Sequence, residues 1–324
     1  IRDSFTTTVV NAYIKPLMAN YLKKLDNELK IKGFDCPLLL MTSGGTLTNI
    51  ESAFNNPVRL VESGPAGGAI LATSIADDLN LNKVISFDMG GTTAKITIIE
   101  NKKAIKAREF EVDRKARFKN GSVLPLRIPV IEMVEIGAGG GSIARVNKLE
   151  QIITGPDSAG SFPGPACYDN GGERPTITDA DLVIGKINPD NFAGGKISLS
   201  KDLANKAIKK NISEIVKMDN ETAALAISEI VDETMSNAAR VHTVEQGHET
   251  SNRTLIAFGG AAPLHIARVA EKLRVNSVII PTNASVGSAV GFLKAPVGYE
   301  VVKSLRMLLN VFQAEKVNEL LKKM

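Results

Sequence analysis

Asp88 ends an apolar run, VISFDM, and is followed at once by Gly90, Gly91, Thr92 and Thr93. A carboxylate, two glycines and two hydroxyls within one turn are the components of a phosphate site. Glycines let main-chain amides approach an anion, threonine hydroxyls add donors, and an aspartate can hold a magnesium ion or its water. The same residues would also serve an ordinary tight hairpin, in which Asp88 and the threonines only cap the turn. A second glycine loop favours phosphate. Gly259, Gly260 and Ala261 follow the strand-like run TLIAF and lead to Pro263 at the start of a helix, which exposes unpaired amides where the helix dipole favours negative charge. A third cluster, Gly137, Gly139, Gly140 and Gly141 before Ser142, has the composition of an anion nest or a substrate wrap, and equally of a mobile loop.

Other polar residues carry weaker signals. His265 follows the second glycine loop, early in its helix, where it can touch substrate, phosphate or metal, or sit partly buried against a neighbour. His242 and His248 flank Glu245 without the spacing of a helical zinc motif, so a solvated helix end is expected. Asp179 and Asp181 precede an apolar run, the place of a helix cap. Cys167 has no base nearby in sequence and reads as a small buried side chain.

These residues need elements to deliver them. Val9, Val10, Tyr13, Ile14, Leu17, Tyr21, Leu22, Leu25 and Leu29 lie at helical spacing over residues 4–30, which predicts one long amphipathic helix ended by Gly33. CPLLLM at 36–41 predicts a buried strand leading into the polar loop Thr42, Ser43, Gly44, Gly45. Residues 61–77 predict a helix with Ser63 as its cap, and β-branched runs on both sides of Gly90 and Gly91 predict a hairpin over 84–100. The mixed charges of 101–120 read as a solvated face, and the Gly- and Pro-rich stretch 121–200 as an irregular insertion. Two helices follow from 201, broken at Asp219 and Asn220. TLIAF, a helix over 263–273 and SVIIP then form a strand, helix, strand unit, with a further helix from about 286. The alternation predicts an α/β chain.

Composition narrows the function. The chain has 324 residues, 44% hydrophobic, a net charge of +4 and two cysteines, enough for about two domains with proper cores. The charge excess is too small and too scattered for a nucleic-acid binder. Cys36 and Cys167 form no metal or disulfide pattern, and no apolar run approaches the ~20 residues of a membrane span. A cytoplasmic protein without a membrane or nucleic-acid partner is expected.

The ordered set TTTVVNAYIKPLM, LVESGPAGG, FDMGGTTAK, EIGAGGGSIARV, GPDSAGSFPGPACYDNGG, PTITDADLVIG, AFGGAAPLHIA and IIPTNASVGSAVGFL closely resembles the hydantoinase A/5-oxoprolinase family over nearly the whole chain. The resemblance implies an actin/Hsp70/sugar-kinase-like ATPase fold, in which two RNase H-like lobes close over ATP. It implies ATP and Mg²⁺ as cofactors and hydrolysis of a cyclic amide such as a hydantoin or 5-oxoproline. The family's alternative chemistry is ketone carboxylation, and a non-catalytic actin-like ATP-binding protein is the rival from another class. Carried over by residue, Asp88, Gly90, Gly91, Thr92 and Thr93 match the phosphate loop, with Asp88 toward the metal. Gly259, Gly260, Ala261 and Pro263 match the adenosine loop. Ser63, Gly64, Pro65 and Gly67 match the helix that connects the lobes, while Gly139, Gly140, Gly141, Ser142 and His265 fall on the substrate side. Many relatives carry Ser-Thr-Asp where this sequence has Thr93, Ala94 and Lys95, which leaves Lys95 to meet a phosphate; Ala262 likewise replaces a usual glycine. No first-lobe turn of the DxGGT type precedes residue 84. The resemblance therefore implies a fragment: residues 1–66 as the tail of the first lobe and 67–324 as the second, nucleotide-binding lobe, with an insertion around 110–200. A B-type partner subunit and a homo- or hetero-oligomer are the expected assembly.

Overall fold

The hairpin expected at 84–100 forms the centre of the main sheet. The computed structural model describes residues 2–112, 124–299, 301 and 303–324, so the mixed-charge stretch 101–120 lies outside the described residues from 113 onward. In chain order the strands used below are β1 (Leu39–Met41), β2 (Leu47–Asn49), β3 (Lys83–Met89), β4 (Ala94–Glu100), β5 (Met133–Ile136), β6 (Ser142–Val146), β7 (Ile152–Ser158), β8 (Thr254–Phe258) and β9 (Ser277–Ile279). The main sheet runs β5-β4-β3-β8-β9, with Lys103 and Ala104 pairing along β4. β3, β4 and β5 form an antiparallel meander, and β8 and β9 run parallel to β3. Three antiparallel strands followed by two parallel ones, in the spatial order third, second, first, fourth, fifth, is the arrangement of an RNase H-like lobe.

The helices are α1 (Arg2–Ile31), α2 (Ser63–Asp78), α3 (Ile177–Val183), α4 (Lys201–Ile208), α5 (Asn220–Glu245), α6 (Ala262–Leu273) and α7 (Gly287–Lys294). Both faces of the sheet are covered, which is why β3 and β4 read as continuous apolar runs. On one face Ile85, Phe87, Met89 and Ile96 pack with residues of α3, α5 and α6. On the other, Val84, Ile99, Ile256 and Phe258 pack against Leu71, Ala72 and Ala76 of α2. Asp88 lies on this second face by the alternation of the strand.

Several expectations are corrected. β1 pairs only with β2, away from the main sheet, and is buried only at its far end: Leu39 is exposed, and Met41 packs against Ala66, Ala69 and Ile131. Ser63 is already helical in α2, and Glu62 takes the cap position in the left-handed region (φ 60°) without a side-chain cap bond. The 121–200 stretch is more regular than its composition predicts, supplying an edge strand to the main sheet, the antiparallel pair β6 and β7, and α3. Asp179 and Asp181 do not precede α3 as caps: Thr176 is the N-cap, Asp179 in the first turn completes a capping box by accepting the Thr176 amide and also accepts the amides of Ala166 and Cys167 at 3.2 and 2.7 Å, and Asp181 is buried within the helix. Cys167 is buried, and its thiol is pushed up by burial and by Asp179.

α2 and α7 pack through glycines. A methyl group at Gly67 would overlap the Phe292 ring and stand 2.6 Å from the Ser288 carbonyl oxygen, and one at Gly291 would overlap the Gly67 carbonyl. Such close helix packing requires the missing side chains.

The core also holds ionisable groups. His265, on α6, is 1% exposed between two aspartates. Its Nδ1 is 2.8 Å from Asp232 Oδ1 on α5, and its Nε2 is 3.0 Å from Asp181 Oδ2 on α3, at ion-pair range but without hydrogen-bond alignment. Burial alone would push the imidazole down, but the Asp232 hydrogen bond and the close charges of Asp181 and Asp232 outweigh it and hold the group at about 9. His242 is not at a solvated helix end: α5 continues to Glu245 and buries it, Nε2 has no hydrogen-bond partner, and burial depresses it to about 4. His248 turns instead to Glu100, 3.5 Å away.

The two histidines give stability opposite pH slopes. Folded His265 keeps a proton that the unfolded chain releases, so its contribution is complete below pH 6.5 and lost as pH rises through about 9. Folded His242 refuses a proton that the unfolded chain takes, so its contribution is complete above pH 6.5 and lost as pH falls through about 4. Each limb is on the order of 3 kcal/mol at most. Urea midpoints should crest near pH 6.5, with His265→Gln flattening only the alkaline limb and His242→Leu only the acid one. An alkaline limb that survives in His265→Gln would contradict the assignment. Gly291→Ala should destabilise by roughly 1–3 kcal/mol in the same assay through overpacking.

Candidate functional site

Asp88 stands at the end of β3, directly opposite Lys95 across the hairpin. Its carboxylate accepts a hydrogen bond from Ser288 Oγ of α7 at 3.0 Å. Two glycines leave room for it: a methyl group at Gly68 would stand 3.1 Å from Oδ2, and one at Gly259 would stand 2.8 Å from Oδ1. Gly259 also has φ +90°, a region glycine enters freely. Burial pushes the Asp88 carboxyl above the usual carboxylate range, partly offset by the Ser288 bond and the Lys95 charge. A buried carboxylate in this condition is stabilised by any cation that reaches it.

The turn beyond Asp88 presents donors. Gly90 closes it with an N–H bond to the Thr93 carbonyl at 3.1 Å. Among the described residues, the amides of Gly91, Thr92, Thr93 and Gly260 donate to no protein acceptor. No atom lies within 4 Å of where a methyl group would sit on Gly90, Gly91 or Gly260. Open glycines with unspent amides around a carboxylate form a cradle for an anion and its cation.

The three glycine clusters meet here. Gly140 and Gly141 donate their amides to the Gly90 and Gly91 carbonyls at 3.0 and 2.6 Å, and a methyl group at Gly139 would stand 2.5 Å from the Thr92 nitrogen. Ser142 Oγ accepts the Gly139 amide at 2.9 Å. Thr178 of α3 donates both its amide and its hydroxyl to the Gly140 carbonyl, each at 2.8 Å. On the other side, Ala261 donates its amide to the Met89 carbonyl at 2.9 Å. The turn is thus gripped by Gly139–Gly141 on one flank and Gly259–Ala261 on the other, with Pro263 in the first turn of α6. Gly139, Gly140 and Gly141 face the turn's own backbone. His265 lies behind this assembly, buried.

Lys95 is already engaged: Nζ is 2.6 Å from Thr93 Oγ1 and 3.1 Å from Glu135 Oε1. Burial raises the half-buried Glu62, Glu135 adds to the rise, and Lys95 lowers it. Glu62, Glu135 and Ser288 were not singled out by sequence. Ser288 sits 200 residues from Asp88, and only the glycine-lined face shared by α2 and α7 hinted at their approach. The Thr42–Gly45 loop lines another cleft, of about 510 Å³, together with Arg59 and Lys106.

Among the described residues no group of three or more His, Cys, Asp or Glu side chains could cage a metal. One raised, buried carboxylate beside open amides fits a magnesium ion that arrives with a phosphate chain and keeps most of its own oxygen ligands. No helix among the described residues is long and apolar enough to cross a membrane.

Comparison with known proteins identifies relatives of the chain. An uncharacterized protein of Methanocaldococcus jannaschii is 41% identical over 97% of this chain and 46% of its own length. The caprolactamase subunit alpha of Pseudomonas jessenii is 32% identical over 98% of this chain and 45% of its own length. The crystal structure of that ATP-dependent caprolactamase superposes with a TM-score of 0.77. The nucleotide-free structure of an acetone carboxylase that works by ATP-dependent acetone carboxylation superposes with a TM-score of 0.75 at 29% identity, over 83% of this chain and 37% of its own. The chain spans about half the length of the curated relatives it matches. The hydantoinase/oxoprolinase family model matches residues 4–301, and with the glycine-gripped turn at Asp88 in place, the chain belongs to that family.

Proposed function

We propose that the chain is the nucleotide-binding part of an enzyme that uses ATP to open a cyclic amide. The observation that carries this reading is the set of unspent amides at Gly91, Thr92, Thr93 and Gly260 around a buried Asp88. An amide carbonyl is a poor electrophile because resonance with nitrogen fills it; transfer of the ATP γ-phosphoryl group to its oxygen, with release of ADP, would make the carbon electrophilic, so that water adds to it, the ring C–N bond breaks as nitrogen takes a proton, and a second water hydrolyses the acyl phosphate to carboxylate and phosphate. The protein's share of such chemistry is positioning and charge neutralisation. In this reading the open amides hold the phosphates, Asp88 holds the magnesium ion that comes with them, and Ser288 keeps the carboxylate aimed. Magnesium would supply neutralisation of the phosphate charge. Lys95, held by Glu135, adds positive charge at the turn through Thr93. Residues 1–66 belong to the first lobe in this scheme and 67–324 to the second, so the clamp needs sequence beyond this chain. A small cyclic amide is the substrate and a separate B-type subunit the partner, in keeping with the subunit naming of the caprolactamase relative.

The acetone carboxylase likeness supports a second reading, activation of a ketone and bicarbonate at the same site. Substrate dependence separates the two: ATP turnover stimulated by a hydantoin, 5-oxoproline or caprolactam supports amide opening, and turnover that requires ketone plus bicarbonate supports carboxylation.

Calorimetric titration of Mg-ATP into this chain, and into the chain extended at its N-terminus, tests the site. The extended form should bind and Asp88→Ala should abolish binding; absence of binding by both forms overturns the phosphate reading. Gly139→Ala should weaken binding at least roughly tenfold, because the methyl would displace the Thr92 amide it presses on. Unchanged affinity in that variant would show that the flank does not shape the turn.

A further inference from the structure

His265 lies one helical turn beyond the Gly259–Ala261 loop, and its side chain is buried in the core between two aspartates. Asp181 and Asp232 face it from α3 and α5. Lys186 Nζ stands 3.7 Å from Asp181 Oδ1 and 4.0 Å from Asp232 Oδ2, and donates to Ser228 Oγ at 2.8 Å, which in turn donates to Asp181 Oδ1 at 3.1 Å. The two other cations on α6, Arg268 and Lys272, are engaged at the surface by Glu229, Glu233 and Glu271. Two buried carboxylates therefore have two cations, His265 and Lys186. With a neutral ring, the cluster would carry an unbalanced negative charge in the interior, which is strongly disfavoured.

The cluster connects both flanks of the phosphate turn. α3 holds the Gly139–Gly141 flank through Thr178, one turn before Asp181; α6 carries the Gly259–Ala261 flank, one turn before His265. We infer that His265 is a positioning residue: as an imidazolium held between Asp181 and Asp232, it ties α6 to α3 and α5 and so sets the spacing of the two glycine flanks across the turn. This rests on the nucleotide reading for its effect on binding, but not for its effect on the loop.

Two measurements on the full-length protein separate those claims. Amide hydrogen exchange reads the loop directly. His265→Gln should speed exchange of the Ala261 amide, which bonds the Met89 carbonyl, roughly tenfold or more, while the β8 amides of Leu255 and Ala257 keep their protection. Mg-ATP titration reads the consequence: His265→Gln should bind roughly tenfold more weakly. The double variant His265→Gln/Asp232→Asn, which restores charge balance beside Lys186, should recover most of both effects and guards against a variant that simply unfolds. Unchanged Ala261 exchange in folded His265→Gln overturns the inference. So does loss of protection spread equally over β8, which would mark a merely structural role, or a double variant as impaired as the single. If the wild-type protein binds no nucleotide, the proposed function fails, and Ala261 exchange alone decides for or against His265.

Discussion

Two main-chain hydrogen bonds, from Gly140 and Gly141 to the carbonyls of Gly90 and Gly91, are the constraint on which the rest of the site depends. They require two backbones to lie against each other with no side chain between, and so account for the third glycine cluster without any ligand of its own. They satisfy the turn's carbonyls at Gly90 and Gly91, while its amides at Gly91, Thr92 and Thr93 donate to no protein acceptor among the described residues. Satisfied acceptors beside free donors suit the turn to an anion more than to a cation.

Everything around the turn maintains that arrangement. Thr178 secures Gly140 from α3, and α3 is secured in turn by the capping box of Thr176 and Asp179, whose carboxylate also collects the Ala166 and Cys167 amides. On the far side the Ala261 amide holds the Met89 carbonyl, and the glycine-packed pair α2 and α7 brings Ser288 to Asp88. Near the turn, Lys95 pairs with Glu135 at 3.1 Å, and both bear on Glu62, whose carboxyl is raised by burial and by Glu135 and lowered by Lys95.

Sequence reasoning reached the parts in which local signals agree. β3 and β4 carry β-branched runs around two glycines, and β8, α6 and β9 alternate as a parallel unit should. The placement of Asp88, Gly90, Gly91 and the 259–263 loop at strand ends was legible because each ends or follows a buried apolar run. β5 to β7 were not legible: they run for four to seven residues amid glycine and proline, and β5 is fixed by its neighbour β4 and not by its own alternation. The burial of His242 left a trace that charge counting overlooked, since Met235, Ala238, Ala239 and His242 follow one helical face. The partners of His265 and Asp88 lie 33 to 200 residues away, and no local pattern encodes an approach of that kind.

The bond between Ser288 and Asp88 closes a loop of 200 residues, and it has a kinetic meaning. Contacts of such separation are the last to become favourable as a chain orders, because loop closure must precede them. In a partly folded species in which α7 has not yet docked on α2, Asp88 therefore lacks its Ser288 bond. A ligand that favours the Ser288-bonded carboxylate would discriminate between the finished domain and such a precursor, adding stability once α7 has docked.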